Sequence, residues 1–171
     1  MARFSEIRDV PGGYLLLDLD ERPLYAGKSG GLRTRLLQHF VRQDSSATAD
    51  GLLDVYEVLR VLVWYAAPPY PVEAYEAALI RMHAPRWNRG AVTFDGPLPM
   101  VTIESADAGV GLLDTPEQLA VRRESLERIE TKLLHLLRAV RKARISGASS
   151  ATMAALGRHA EELRELFGRQ Q

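Results

Sequence analysis

Gly13-Tyr14-Leu15-Leu16-Leu17-Asp18 and Leu24-Tyr25-Ala26-Gly27-Lys28 are two short apolar runs on either side of the turn-forming Asp20-Glu21-Arg22-Pro23. Runs of this length around such a tetrapeptide predict an antiparallel hairpin, with strands over 14–19 and 24–27. Each strand carries one tyrosine. Taken alone, tyrosines on paired strands are cross-strand packing.

Upstream, residues 1–12 form an irregular lead-in that ends at Pro11-Gly12-Gly13. Downstream, Lys28-Ser29-Gly30-Gly31 reads as a loop opening a helix, since Leu32, Leu36, Leu37 and Phe40 recur at helical spacing. Arg35 and His39 are four apart on that helix and so share a face. A polar loop covers 43–51. The stretch 52–59 fits a helix or a strand, a short helix being the preferred reading, and β-branched and aromatic residues make 61–65 a third strand. Pro68-Pro69-Tyr70-Pro71 ends it. A helix over 72–83 follows and stops before Pro85, with Trp87-Asn88 as a cap or turn between Arg86 and Arg89.

The expected layout is a first domain over 1–98, a linker over 99–114 and a helical appendage over 115–171 for DNA binding or dimerisation. The linker lies in a stretch, Ala91 to Asp114, that turns rich in Gly, Pro, Thr and Asp and has room for one extra strand pair. Thr115-Pro116-Glu117-Gln118 supplies helix-start signals. Leu119, Leu126, Ile129, Leu133, Leu136 and Val140 then keep a heptad-like stripe up to Gly147, and Met153, Leu156, Ala160, Leu163 and Phe167 mark a second helix. Two such stripes predict an antiparallel helical hairpin, packed on itself, on the first domain or across a homodimer. The fold class is therefore α/β: a small three-stranded antiparallel sheet flanked by helices, followed by a C-terminal helical hairpin.

Composition excludes several classes of function. The 171 residues are 46% hydrophobic and 26% charged, with no apolar run of bilayer-spanning length, so no membrane partner is expected. Met1-Ala2-Arg3-Phe4-Ser5-Glu6 leads into no signal-peptide core, and the expected location is cytoplasmic. Without cysteine the chain forms no disulfide and no thiolate zinc site. Net charge is zero, and it stays near zero in each half, which argues against a general nucleic-acid coat protein. Of the 22 basic residues only Lys28, Lys132 and Lys142 are lysines, so a lysine directly after Tyr25-Ala26-Gly27 hints that this position wants an ammonium.

Gly13-Tyr14, Tyr25-Ala26-Gly27-Lys28, Leu32-Arg33-Thr34-Arg35-Leu36, His39, Glu76 and Pro85-Arg86-Trp87-Asn88, in that order, resemble the GIY-YIG endonuclease family over about residues 12–90. The spacing is closest to the excision-repair-type nuclease domain, above all the twelve residues from Glu76 to Asn88. The resemblance implies a metal-dependent DNA endonuclease, with RNA not excluded as a substrate. It implies Tyr14, Tyr25, Lys28, Arg35, His39, Glu76 and Asn88 as site residues. Gly13 and Ala26 depart from the family by replacing its usual apolar middle residues, a change in sheet packing more than in chemistry.

Those residue types suit the chemistry. Phosphodiester hydrolysis needs a deprotonated water, charge compensation on the nonbridging oxygens and help for the departing 3′ oxygen. Glu76, the only carboxylate the resemblance places in the site, would anchor one hydrated Mg²⁺ or Mn²⁺. Asp18, Asp20 and Glu73 match no family position. Tyrosine has an ordinary pKa of about 10, and cationic neighbours such as Lys28, Arg35 and the metal are expected to lower it. Tyr14 is then the base or water-orienting group with Tyr25 as its partner, and the reverse assignment stays open. Arg35 would grip the scissile phosphate in a forked contact. His39 would relay the tyrosine proton or bind phosphate, and Asn88 would fix local backbone. Lys28, Arg33, Arg35, Arg86 and Arg89 form the expected nucleic-acid contacts.

His83, His135 and His159 match nothing and read as surface or core-edge residues, while Arg141-Lys142-Ala143-Arg144 most simply complements a helix C-terminus. Two other readings stand beside the nuclease: a non-catalytic nucleic-acid-binding module, and a domain recruited by a protein partner through the helical hairpin.

Overall fold

The computed structural model describes residues 2–42, 54–88, 97–113, 115–147 and 150–168. The chain forms two compact units, Met1–Thr115 and Pro116–Gln171.

In the first unit the hairpin forms as β1 (Gly12–Asp18) and β2 (Pro23–Ser29). Its register sets Tyr14 against Gly27 and Gly13 against Lys28. Asp18 shapes the turn, its Oδ1 accepting from the backbone N–H groups of Asp20 (2.9 Å) and Arg22 (2.8 Å). That carboxylate is thereby committed to the turn. β3 runs Val58–Tyr65 and pairs with β1 along the whole of β1, from Gly12 opposite Tyr65 to Asp18 opposite Val58. The helix preferred over 52–59 is thus corrected from Val58 onward; residues 51–53 lie outside the described residues. Pairing with a seven-residue central strand outweighs ambiguous local propensity.

The sheet has four antiparallel strands in the order β2-β1-β3-β4, not three. β4 (Ala108–Gly111) comes from the expected linker and pairs with Arg60 through Val63 of β3. A run of Ala-Gly-Val-Gly carries almost no intrinsic strand signal; the open edge of β3 organises it. Gly109 also sits close under β3, where a Cβ would stand 3.2 Å from Leu62 Cδ2. Val101 and Ile103 of the same stretch are buried in the core, and the Trp64 indole N–H donates to the Glu104 carbonyl at 3.0 Å. Within the expected linker, residues 101–111 are therefore built into the first unit as sheet and core.

Alternation splits the sheet residues between two faces. Tyr14, Leu16, Val61 and Val63 pack against Leu32 and Leu36 of α1 (Leu32–Leu37), with Phe4, Ile7 and Trp87 closing that layer. Leu15, Ala26 and Trp64 pack against Ala74, Tyr75, Ala78 and Leu79 of α2 (Val72–His83). Gly13 lets α2 come close, since a Cβ there would lie 3.1 Å from Tyr75 Cβ and 2.9 Å from Leu79 Cδ1. The missing apolar side chain in Gly12-Gly13-Tyr14 is thus filled from α2.

The second unit holds α3 (Pro116–Glu124), α4 (Leu126–Ser146) and α5 (Ser150–Gly168). The long heptad-like stripe is divided at Ser125, whose carbonyl accepts from Arg128 N–H at 3.1 Å. Helices α4 and α5 pack antiparallel around Ile129, Leu163 and Leu166, with Leu136 against them. In the same seam Lys132 Nζ meets Glu162 Oε2 at 3.0 Å, both side chains almost fully buried. The rings of His135 and His159 meet edge to face, centroids 6.0 Å apart. His159 is buried, not a surface residue. Among the described residues no helix is long and apolar enough to cross a membrane.

Candidate active site

Tyr14 projects from β1 across Gly27 of β2. A Cβ at Gly27 would fall inside the phenol, 2.5 Å from Cζ, so glycine here makes room for the tyrosine. The Tyr14 hydroxyl is hydrogen-bonded to His39 Nε2 at 2.6 Å in a buried setting. Tyr25 stands beside them, its ring centroid 6.2 Å from Tyr14 and 6.4 Å from His39. His39 comes from a wide π-type turn, Gln38–Arg42, that continues α1. Such single turns recur at functional positions.

Helix α1 is held at its start from a distance. Asp9 Oδ1 accepts from Thr34 N–H at 2.9 Å and Asp9 Oδ2 from the Thr34 hydroxyl at 2.7 Å. Gly31 at the N-cap makes no side-chain bond of its own. Asp9 was not legible as part of this region, because the capping group lies 25 residues before Thr34, the residue it holds.

Protonation follows from burial. Burial, then Arg35, pulls His39 down to about 4, so its ring is neutral at neutral pH. The neutral ring carries one proton: in the Nδ1–H tautomer Nε2 accepts from the Tyr14 hydroxyl, and in the Nε2–H tautomer it donates to the phenol oxygen. Burial, then the neighbouring Tyr25, pushes Tyr14 well above the ordinary tyrosine range, while Arg35 opposes. Tyr25 is also raised, by burial and then by Glu76, against Arg35 and Lys28. For the two side-chain cations this corrects the expectation of lowered tyrosines: Arg35 and Lys28 do pull that way, and desolvation outweighs them. The tyrosines differ in access, Tyr14 being 2% exposed and Tyr25 only partly buried.

Lys28, opposite Gly13, lies on the α2 face of β2. Its ammonium stands 3.2 Å from Glu76 Oε2 and 3.4 Å from Glu73 Oε1. Burial alone would lower Lys28, but Glu76 and then Glu73 overcome it and raise the pKa. Glu73 was set aside on sequence; its signal was its place three residues before Glu76, which puts both carboxylates on one helix face. Glu76 acts electrostatically on both tyrosines from α2, and Arg35 acts on them from α1.

The turn after α2 braces β2. Arg86 and Trp87 donate backbone N–H bonds to the carbonyls of Pro23 (3.2 Å) and Leu24 (2.9 Å). Asn88 Oδ1 then accepts from Ala26 N–H at 2.8 Å, and its Nδ2 donates to Ala26 O at 2.7 Å. The side-chain amide thus imitates one residue of an added strand. Trp87 is buried, Arg86 and Arg35 are partly exposed and Arg33 is exposed; Arg89 lies outside the described residues.

Among the described residues no group of three or more His, Asp or Glu side chains converges as a metal cage. The partly buried Glu76 carboxylate, with Glu73 one turn away, fits a cation that keeps most of its water, as Mg²⁺ does.

Over 86 residues, half of this chain, the sequence is 35% identical to the UvrABC system protein C of Synechocystis sp., and the match spans 14% of that protein. No family model matches the chain, and no solved structure is significantly similar to it.

Proposed function

We propose that the chain is a GIY-YIG-type endonuclease that hydrolyses phosphodiester bonds in DNA. The observation that carries this reading is the buried Tyr14–His39 hydrogen bond beside Tyr25, with Arg35 and Glu76 acting on both phenols from opposite sides. The likeness of half the chain to a UvrABC system protein supports a nuclease role that acts on DNA.

Burial favours Tyr25 as the group that meets the attacking water, since Tyr14 has almost no exposed surface. The water oxygen forms the new bond to phosphorus. Its proton passes to the Tyr25 hydroxyl as Tyr25 hands its own to Tyr14 and Tyr14 its own to Nε2 of His39, in the ring's Nδ1–H tautomer. Burial and Arg35 disfavour the resulting imidazolium, so His39 holds the proton only while the 3′ oxygen departs. The ring then releases it to solvent, and the 3′ oxygen takes its proton from solvent. A raised tyrosine pKa makes each phenolate a strong base, and the relay means that no free phenolate has to persist. Arg35 holds the nonbridging oxygens as the bond to the 3′ oxygen breaks. Glu76 would hold Mg²⁺ or Mn²⁺, which when bound supplies positive charge at the scissile phosphate. Glu73 keeps Lys28 in place when Glu76 is otherwise engaged. In this reading Lys28, Arg33, Arg35 and Arg86 would follow the backbone of the nucleic acid.

The test is nicking of supercoiled plasmid by the purified chain with Mg²⁺ or Mn²⁺. Wild type is expected to nick, and Glu76→Ala to bind without nicking. Failure of wild type on every DNA and RNA substrate offered would sink the reading. The engagement of Glu76 by Lys28 favours one competing reading, a binding module without turnover. Retained DNA affinity with no nicking by wild type would establish that one instead.

A further inference from the structure

The α4–α5 hairpin is apolar over a wider arc than its own seam uses. Leu126, Leu133, Leu137 and Val140 of α4 recur at spacings of seven, four and three, and are 70%, 40%, 53% and 47% exposed. At about 100° per residue they form one stripe, roughly a quarter-turn from the buried Ile129 and Lys132 and the partly buried Leu136. On α5, Met153 and Phe167 are also half exposed and are rotated from the seam in the same sense. In antiparallel helices the same sense of rotation leads to the same side of the hairpin. The two stripes therefore form one open apolar face.

We propose that this face is covered by a second copy of the chain, related by a two-fold axis that sets α4 antiparallel to α4. Two observations favour that occupant. The six side chains offer roughly 600 Å² of apolar surface on each copy, which puts two copies near the lower bound of standard stable interfaces. The charges on α4 are also segregated: exposed Glu130 lies in its first half, and exposed Arg138, Arg141 and Arg144 lie toward its end. Parallel pairing would set arginine against arginine. An axis crossing midway between residues 135 and 136 brings Glu130 level with Arg141 of the second copy, on the flank of the apolar stripe.

The experiment is sedimentation velocity of the full chain over a range of concentrations. Wild type is expected at twice its 19.0 kDa monomer mass. Leu133→Asp with Leu137→Asp is expected at monomer mass with an unchanged helical circular dichroism signal. Glu130→Arg and Arg141→Glu each weaken the dimer about tenfold, and combining them restores it, a result that no general loss of folding can imitate. A wild type that stays monomeric overturns the proposal. In that case slow amide exchange over 126–146 would assign the face to the rest of the same chain, and fast exchange to a different protein. A dimer that survives the double aspartate variant, or one not restored by the charge exchange, overturns the antiparallel arrangement.

Discussion

Both units bury polar groups, and the proposed chemistry draws on those of only one. In the first, Tyr14 and His39 are sealed beneath the sheet, yet they adjoin the partly exposed Tyr25 and feel Arg35 and Glu76 from two different helices. In the second, Lys132 and Glu162 neutralise each other inside a two-helix seam. Burial by itself therefore does not mark a site. What distinguishes the first set is its continuity with solvent through Tyr25, and the presence of charges on both sides of the phenols, Arg35 and the Lys28-paired Glu76, in place of one closed ion pair.

The sharpest break of that contrast comes from Glu76→Ala, which is expected to lower nicking on the order of 10³-fold while the unfolding midpoint stays within a degree or two. Glu162→Ala should do the opposite. It leaves Lys132 charged and buried, so denaturant titration should show the second unit losing about 3 kcal/mol while nicking is unchanged at low temperature. Exchanging both partners for methionine and leucine should recover most of that stability. If Glu162→Ala abolished nicking in a folded protein, the division of labour between the units would be wrong.

The two buried histidines narrow the comparison. Both are held down to about 4, His39 by burial and Arg35, His159 by burial against the opposing charge of Glu162. Between that value and the ordinary 6.5 the unfolded chain binds more protons than the folded one, so stability rises with pH across this window and is lost as pH falls through it. His39→Gln and His159→Gln should each flatten that rise. Only His39→Gln should reduce nicking, about 10²-fold, since it alone faces a phenol in the proposed proton relay. Equal effects of the two variants on nicking would remove His39 from the chemistry.

What could be read in advance follows a physical line. The hairpin and α2 were legible because apolar period, prolines and turn residues act within a few residues of one another, and α2 occupies the 72–83 span expected of it. β4 was legible only as room for an extra strand pair in the linker, because Ala-Gly-Val-Gly becomes a strand only on the edge of β3. Asp9 and the Lys132–Glu162 pair were hidden because their partners lie 25 and 30 residues away. Of the candidate site, residue types and order were legible. The direction of the tyrosine shifts was not, since desolvation depends on packing that the order of residues does not record.

Asn88 offers the finest test of how the first unit keeps its polar groups in place. Its amide gives Ala26 both a donor and an acceptor, so Asn88→Ala leaves the β2 edge to water and should cost about 1–2 kcal/mol. Asn88→Asp separates two explanations. Aspartate keeps the shape and can still form the local turn, but it sets a carboxylate oxygen against the Ala26 carbonyl where the amide donated. If strand imitation is what matters, aspartate should be at least as destabilising as alanine and should lower nicking several-fold, because Tyr25 and Gly27 flank the braced residue. If aspartate behaves like wild type in both measurements, the turn alone positions β2, and the brace is incidental to the placement of the tyrosines.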